Sequence, residues 1–157
     1  MALSFIVGPI ADNSQQLAAF QNPNTSFTQP ADCVPKGYAV AETVKSGAHY
    51  VDIKQGDTVL GSIRIFTDVE RNGFALDEAK TTKTGFEISV EYGSRYFYHK
   101  RFVFICRRHR FYLSRVFVGS FDKHNPEHWK KTAVRVRPAL PLERFILNDF
   151  MLEGVVK

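Results

Sequence analysis

Cysteine is scarce in this chain: Cys33 and Cys106 are the only two in 157 residues. Two thiols cannot build a four-cysteine zinc site or an iron–sulfur cluster. Long apolar runs are also missing. The N-terminal stretch MALSFIVGPIA has no basic leading region and is too short to span a bilayer. No glycine-rich phosphate loop, G-x-S-x-G elbow or H-E-x-x-H motif occurs, and Gly47, Gly56, Gly61, Gly73, Gly85, Gly93 and Gly119 are scattered like turn residues. No repeat period is visible. These absences exclude solenoids, helical membrane bundles and large two-domain enzymes, and they leave no cofactor, metal or catalytic residue to assign. The length predicts one domain over 1–157.

What is present is an ordinary globular composition, 44% apolar and 24% charged. The formal charge is +5, unevenly spread: residues 95–137 hold twelve Lys or Arg against two acids, a local +10, and the remainder is net negative. A concentrated field of this sign suits nucleic acid, anionic lipid or an acidic protein.

Residues 1–37 read as an irregular segment, with a possible short helix at 14–21 stopped by Pro23, and with Pro30 and Pro35 opposing regular structure. The Asn/Gln/Thr/Pro stretch at 12–31 has the look of the start of a mature exported protein. A periplasmic or secreted location with the signal peptide removed is therefore expected, with the cytoplasm as the alternative. A Cys33–Cys106 disulfide would staple this segment to the rest, contributing about 4 kcal/mol in the chain-entropy account. Two unrelated thiols are the alternative.

From residue 38 the chain reads as strands: YAVAETV, AHYVDIK, TVLGSIRIFT, FEISVEY, RYFYHKRFVFIC and FYLSRVFV. In FEISVEY, Phe86, Ile88, Val90 and Tyr92 alternate with Glu87, Ser89 and Glu91, which predicts one face on a core and one in solvent. Residues 119–132 read as a loop or helical turn, 133–137 as a short strand ended by Pro138 and Pro141, and 142–153 as either helix or strand. The expected fold is mostly β or α+β: a single curved antiparallel sheet, or a small sandwich or barrel, with one or two short helices.

Candidate chemistry is sparse. Asp122, His124 and His128 form the nearest metal-like cluster, but Pro126 interrupts the helical spacing that would align the histidines. Cys106 with His109 or His99 would need a base within about 3 Å and a third orienting group. Glu87 and Glu91 share a strand face about 13 Å apart, too far for a glycosidase pair.

The basic, aromatic region is the remaining feature. Arg95, Lys100, Arg101, Arg107, Arg108, Arg110 and Arg115 interleave with Tyr96, Phe97, Tyr98, Phe102, Phe104, Phe111 and Tyr112. This is the composition of a sheet that stacks bases on rings and holds phosphates with arginine. With fourteen phenylalanines in the chain, most must lie in the core. The turn RRHR at 107–110 has no core role and is the best contact candidate. The segment RFVFICRRHRFYLSRVFVGSFD resembles paired strands of small exported bacterial β-rich proteins, including immunity and inhibitor proteins of secreted toxins, and carries no diagnostic motif. The leading expectation is a non-catalytic, inhibitory or immunity-like domain that meets an acidic protein partner. Arg107, Arg108, His109 and Arg110 would steer it, with Tyr112, Tyr98 and Trp129 as anchors. A single-stranded nucleic-acid-binding β domain is the alternative, followed by a small enzyme. The oligomeric state is open.

Overall fold

A computed structural model describes residues 37–71 and 73–151. Eight antiparallel strands form two separate sheets. The first is a meander of β1 (Tyr38–Lys45), β2 (Ala48–Gln55) and β3 (Thr58–Ile65). The second runs in sequence order through β4 (Ala75–Thr82), β5 (Gly85–Tyr92), β6 (Tyr96–Arg107), β7 (Arg110–Asp122) and β8 (Asn125–Pro141). The possible helix at 14–21 and Cys33 lie outside the described residues.

The expectation of a single sheet is corrected, and the reason is local. Between β3 and β4 the chain folds on itself: the Thr67 amide donates to Glu70 Oε2 at 2.9 Å, the Arg71 amide to the Thr67 carbonyl at 3.0 Å, and the Gly73 amide to Asp68 Oδ1 at 2.7 Å. This turn carries the chain from β3 into the second sheet, and no closed barrel forms among the described residues. The helix expected as one reading of 142–153 is corrected too. Leu142–Arg144 and Leu147–Phe150 are single 3-10 turns, too short to continue as α-helix.

The period-two pattern sets which face is core. Phe86, Ile88, Val90 and Tyr92 of β5 are buried, as are Phe102 and Phe104 of β6 and Phe111, Leu113 and Val116 of β7. They join Val51, Ile53, Ile63 and Ile65 of the first sheet in one apolar cluster. Phe86 and Phe104 stack with centroids 4.5 Å apart, and Phe145 meets the Phe104 ring edge-on at 5.1 Å. The C-terminal 3-10 turns thus supply core side chains. Gly61 makes room for this closure, since a Cβ there would collide with the Leu142 side chain. Between the two sheets, Tyr38 donates its hydroxyl to the Gly85 carbonyl and lies 5.7 Å from the Phe111 ring.

Residues 119–132 are mostly strand, with only Lys123 and His124 in a turn, and not a long loop or helical turn. They complete β7 and begin β8, whose pairing spans Asp122↔Asn125 to Tyr112↔Pro141. Nor do Pro138 and Pro141 end the strand at 137. β8 is an edge strand, where a missing amide donor costs no ladder bond on the open side.

Candidate basic and aromatic binding face

The register of β5 to β8 sorts every side chain of the second sheet onto one of two faces. Phe102↔Val116↔Val134 runs across the core face, and the neighbouring row Arg101↔Phe117↔Ala133 runs across the other. The outer face therefore gathers Glu87 and Glu91 from β5, Phe97, His99, Arg101, Val103, Ile105 and Arg107 from β6, and Tyr112, Arg115, Phe117 and Phe121 from β7. From β8 it takes Trp129, Lys131 and Arg135. A bulge between Leu113 and Arg115 sets aside Ser114, whose hydroxyl donates to the Val103 carbonyl at 3.1 Å.

Two zones occupy the β6–β8 part of this face. At one end Phe97, Phe121 and Trp129 cluster, with Phe121 4.7 Å from Trp129 and 5.0 Å from Phe97. Trp129 is 44% exposed. It lies across Gly119, where a Cβ would come within 2.8 Å of the indole, so the glycine lets the ring lie against the strand. At the other end Arg107, Arg115, Arg135 and Arg137 line a cleft of about 500 Å³ together with Ile105, Ser114, Val136 and Ala139. No carboxylate lies within 4 Å of any of these four guanidinium groups among the described residues. Between the zones, Arg101 and Arg115 both lie over the Phe117 ring, at 4.4 and 5.6 Å.

The seven contact residues expected from sequence do not form one patch. Arg107 lines the cleft, and Tyr112 and Trp129 share its face. Arg108 and His109 form the hairpin tip, both in the left-handed backbone region at φ 50° and 62°. Arg110 is drawn to Glu143 at 3.2 Å. Tyr98 points to the opposite face, stacked on Tyr92 at 5.2 Å. Of the other cations in this region, Lys100 is buried and donates to the Phe150 carbonyl, while Arg95 pairs with Asp122 at 3.5 Å. Arg135, Arg137, Phe117 and Phe121 were missed. The alternation along 95–106 was the signal for this face, and 133–137 was legible as a strand, but its pairing beside β7, which brings Arg135 and Arg137 to the face, was not.

Cys106 carries no free thiol, which removes it as a nucleophile. The Cys33–Cys106 pairing lies partly outside the described residues. Asp122, His124 and His128 do not converge: Asp122 accepts the His124 amide at 2.9 Å, and His128 Nδ1 is 2.8 Å from Asn125 Oδ1. The His124 amide, foremost, holds the Asp122 carboxyl below its ordinary pKa. No described helix is long and apolar enough to cross a membrane. Searches of protein-family models, curated proteins and solved structures found no match to this chain.

Proposed function

We propose that the chain is a single-stranded nucleic-acid-binding β domain that uses the outer face of its five-stranded sheet. The carrying observation is the cleft of Arg107, Arg115, Arg135 and Arg137, which no carboxylate neutralises among the described residues, continuous with a half-exposed aromatic face. Arginine cations bind phosphodiester oxygens, and Phe97, Phe121 and Trp129 offer ring surface on which bases of any sequence can stack. Outward residues of one strand recur about every 6.7 Å, a repeat comparable to that of an extended nucleotide chain.

The test is fluorescence anisotropy of labelled oligonucleotides of unrelated sequence, titrated with the whole chain at several salt concentrations. Four phosphate contacts give a log–log salt slope near −3 and roughly a 50-fold loss between 50 and 200 mM salt. Exchange of Arg115 and Arg135 for Glu abolishes binding. Absence of binding at low salt, or affinity that the exchange leaves intact, would overturn the reading.

A second reading rests on the hairpin tip. Arg108 and His109 hold left-handed backbone conformations that are costly for side chains of their size, and such strain often marks a contact loop. In this reading an exported, immunity-like or inhibitory domain presents Arg107, Arg108 and His109 to an acidic protein, with a Cys33–Cys106 disulfide fixing the N-terminal segment. It predicts one stoichiometric protein partner whose capture resists nuclease.

A further inference from the structure

We propose that Asp77, Glu91 and His99 form a binding site for a first-row divalent metal ion of the Zn²⁺ class. The inference stands apart from the proposed function and uses none of the arginines. The three residues sit on three adjacent strands, β4, β5 and β6. Glu91 and His99 are direct cross-strand partners, which places their side chains side by side on the outer face. Asp77 reaches them through a bulge: between Leu76↔Val90 and Glu78↔Ser89 it has no residue opposite, and this extra residue turns its carboxylate onto the same face. One ligand atom from each of the three residues lies within 4.8 Å of the other two. His99 Nε2 is already 3.3 Å from Asp77 Oδ2.

The distances suit a metal. Bonds of about 2.0–2.2 Å to imidazole nitrogen and carboxylate oxygen put neighbouring ligand atoms about 3.0–3.5 Å apart. The His99–Asp77 pair meets this as it stands, and a Glu91 carboxylate oxygen lies within 4.8 Å of both ligand atoms. The electrostatics point the same way. Two carboxylates converge here, and no Lys or Arg lies within 4 Å of either among the described residues. An imidazole in the set selects Zn²⁺-like ions over Mg²⁺ or Ca²⁺, which favour all-oxygen shells. Three protein ligands on an exposed sheet leave at least one coordination position open to solvent or ligand.

The experiment is isothermal titration of the whole chain with ZnCl₂ in a non-chelating buffer, with Co²⁺ absorption as a second readout. One equivalent is expected to bind, and His99→Ala and Glu91→Gln are each expected to weaken it at least tenfold. His128→Ala, which alters a histidine remote from the trio in the register, is expected to leave it unchanged. Glu91→Gln is nearly isosteric, so it carries the test if His99→Ala fails to fold. No saturable binding, binding that both site variants retain within threefold, or binding lost in His128→Ala would overturn the assignment.

Discussion

Arg115 of β7 and Arg135 of β8 are direct cross-strand partners on the outer face of the five-stranded sheet, two cations opposed with no carboxylate within 4 Å among the described residues. Like charges in this relationship destabilise an antiparallel pair. A fold selected for stability alone would place an acid at one of these positions, as it does where Lys80 faces Glu87 across β4 and β5. On the proposed function, this uncompensated pair is half of an interaction whose other half is the anion of a bound nucleic acid.

Arg135→Glu should therefore shift stability and binding in opposite directions. Creating an opposite-charge pair with Arg115 is expected to raise unfolding free energy by about 0.2–1 kcal/mol at low salt. The same exchange is expected to weaken oligonucleotides of unrelated sequence alike, by roughly tenfold, and to flatten the salt slope. Urea denaturation and anisotropy on the same preparations check both. A variant that loses stability would show that the two arginines are not in electrostatic contact.

Trp129 is the only tryptophan and stands on the proposed binding face, so its fluorescence reports on that face directly. Oligonucleotide binding is expected to quench it, because a base stacked on indole replaces water. Trp129→Ala should cost about 1–3 kcal/mol of oligonucleotide affinity. Gly119→Val is expected to displace the ring, since the glycine lies beneath it, and to reduce the quench. Saturable binding with unchanged fluorescence would place the ligand away from the Phe97–Phe121–Trp129 cluster.

Much of the fold was legible because alternation is a local property. Phe86, Ile88, Val90 and Tyr92 announce their face from seven residues of sequence, and burial agrees. The strand at β4 was missed because Ala75–Thr82 has few apolar side chains and mixed charge; its partner β5, not its own pattern, holds it extended. The first half of β8 was missed for the same reason: from Asn125 to Ala133 every residue is exposed, so no buried face marks it as a strand. The basic and aromatic face was half visible. The odd positions of β6 were identifiable, yet Arg135 and Arg137 join Arg107 and Arg115 only through the β7–β8 register, which sequence spacing does not encode. The Asp77–Glu91–His99 trio was invisible because it spans three strands, and β4, which carries Asp77, was not legible as one.

Lys100 predicts a pH dependence. It is buried on the core face, and burial, followed by the charge of Arg71, lowers its pKa from 10.5 to about 8. Between those values the unfolded chain holds the proton that the folded chain has lost, so stability rises with pH. From about pH 8 to about pH 9.5 the gain is at most about 2 kcal/mol. Burial raises the pKa of Tyr38, so this phenol opposes the rise, and only as the pH nears the ordinary tyrosine range at which the unfolded chain ionises. Lys100→Met should abolish the rise in urea midpoint. Persistence of the rise in that variant would assign it to another group.

The hairpin tip separates the two functional readings. Arg108 and His109 both occupy positive φ, the geometry of a two-residue turn that Asn-Gly satisfies without strain. Arg108→Asn with His109→Gly is expected to stabilise the chain by about 1–2 kcal/mol, because the wild-type pair adopts conformations costly for these residues. The exchange leaves Arg107, Arg115, Arg135 and Arg137 in place, so oligonucleotide affinity should change by less than about twofold if the sheet face is the site. An acidic protein partner that grips the tip would instead be lost, since both exchanged side chains supply its contacts. A variant that is more stable, keeps oligonucleotide binding and captures no less protein than the wild type assigns function to the sheet face. One that is more stable but loses a stoichiometric protein partner assigns it to the tip, and the strain at Arg108 and His109 is then retained for that contact.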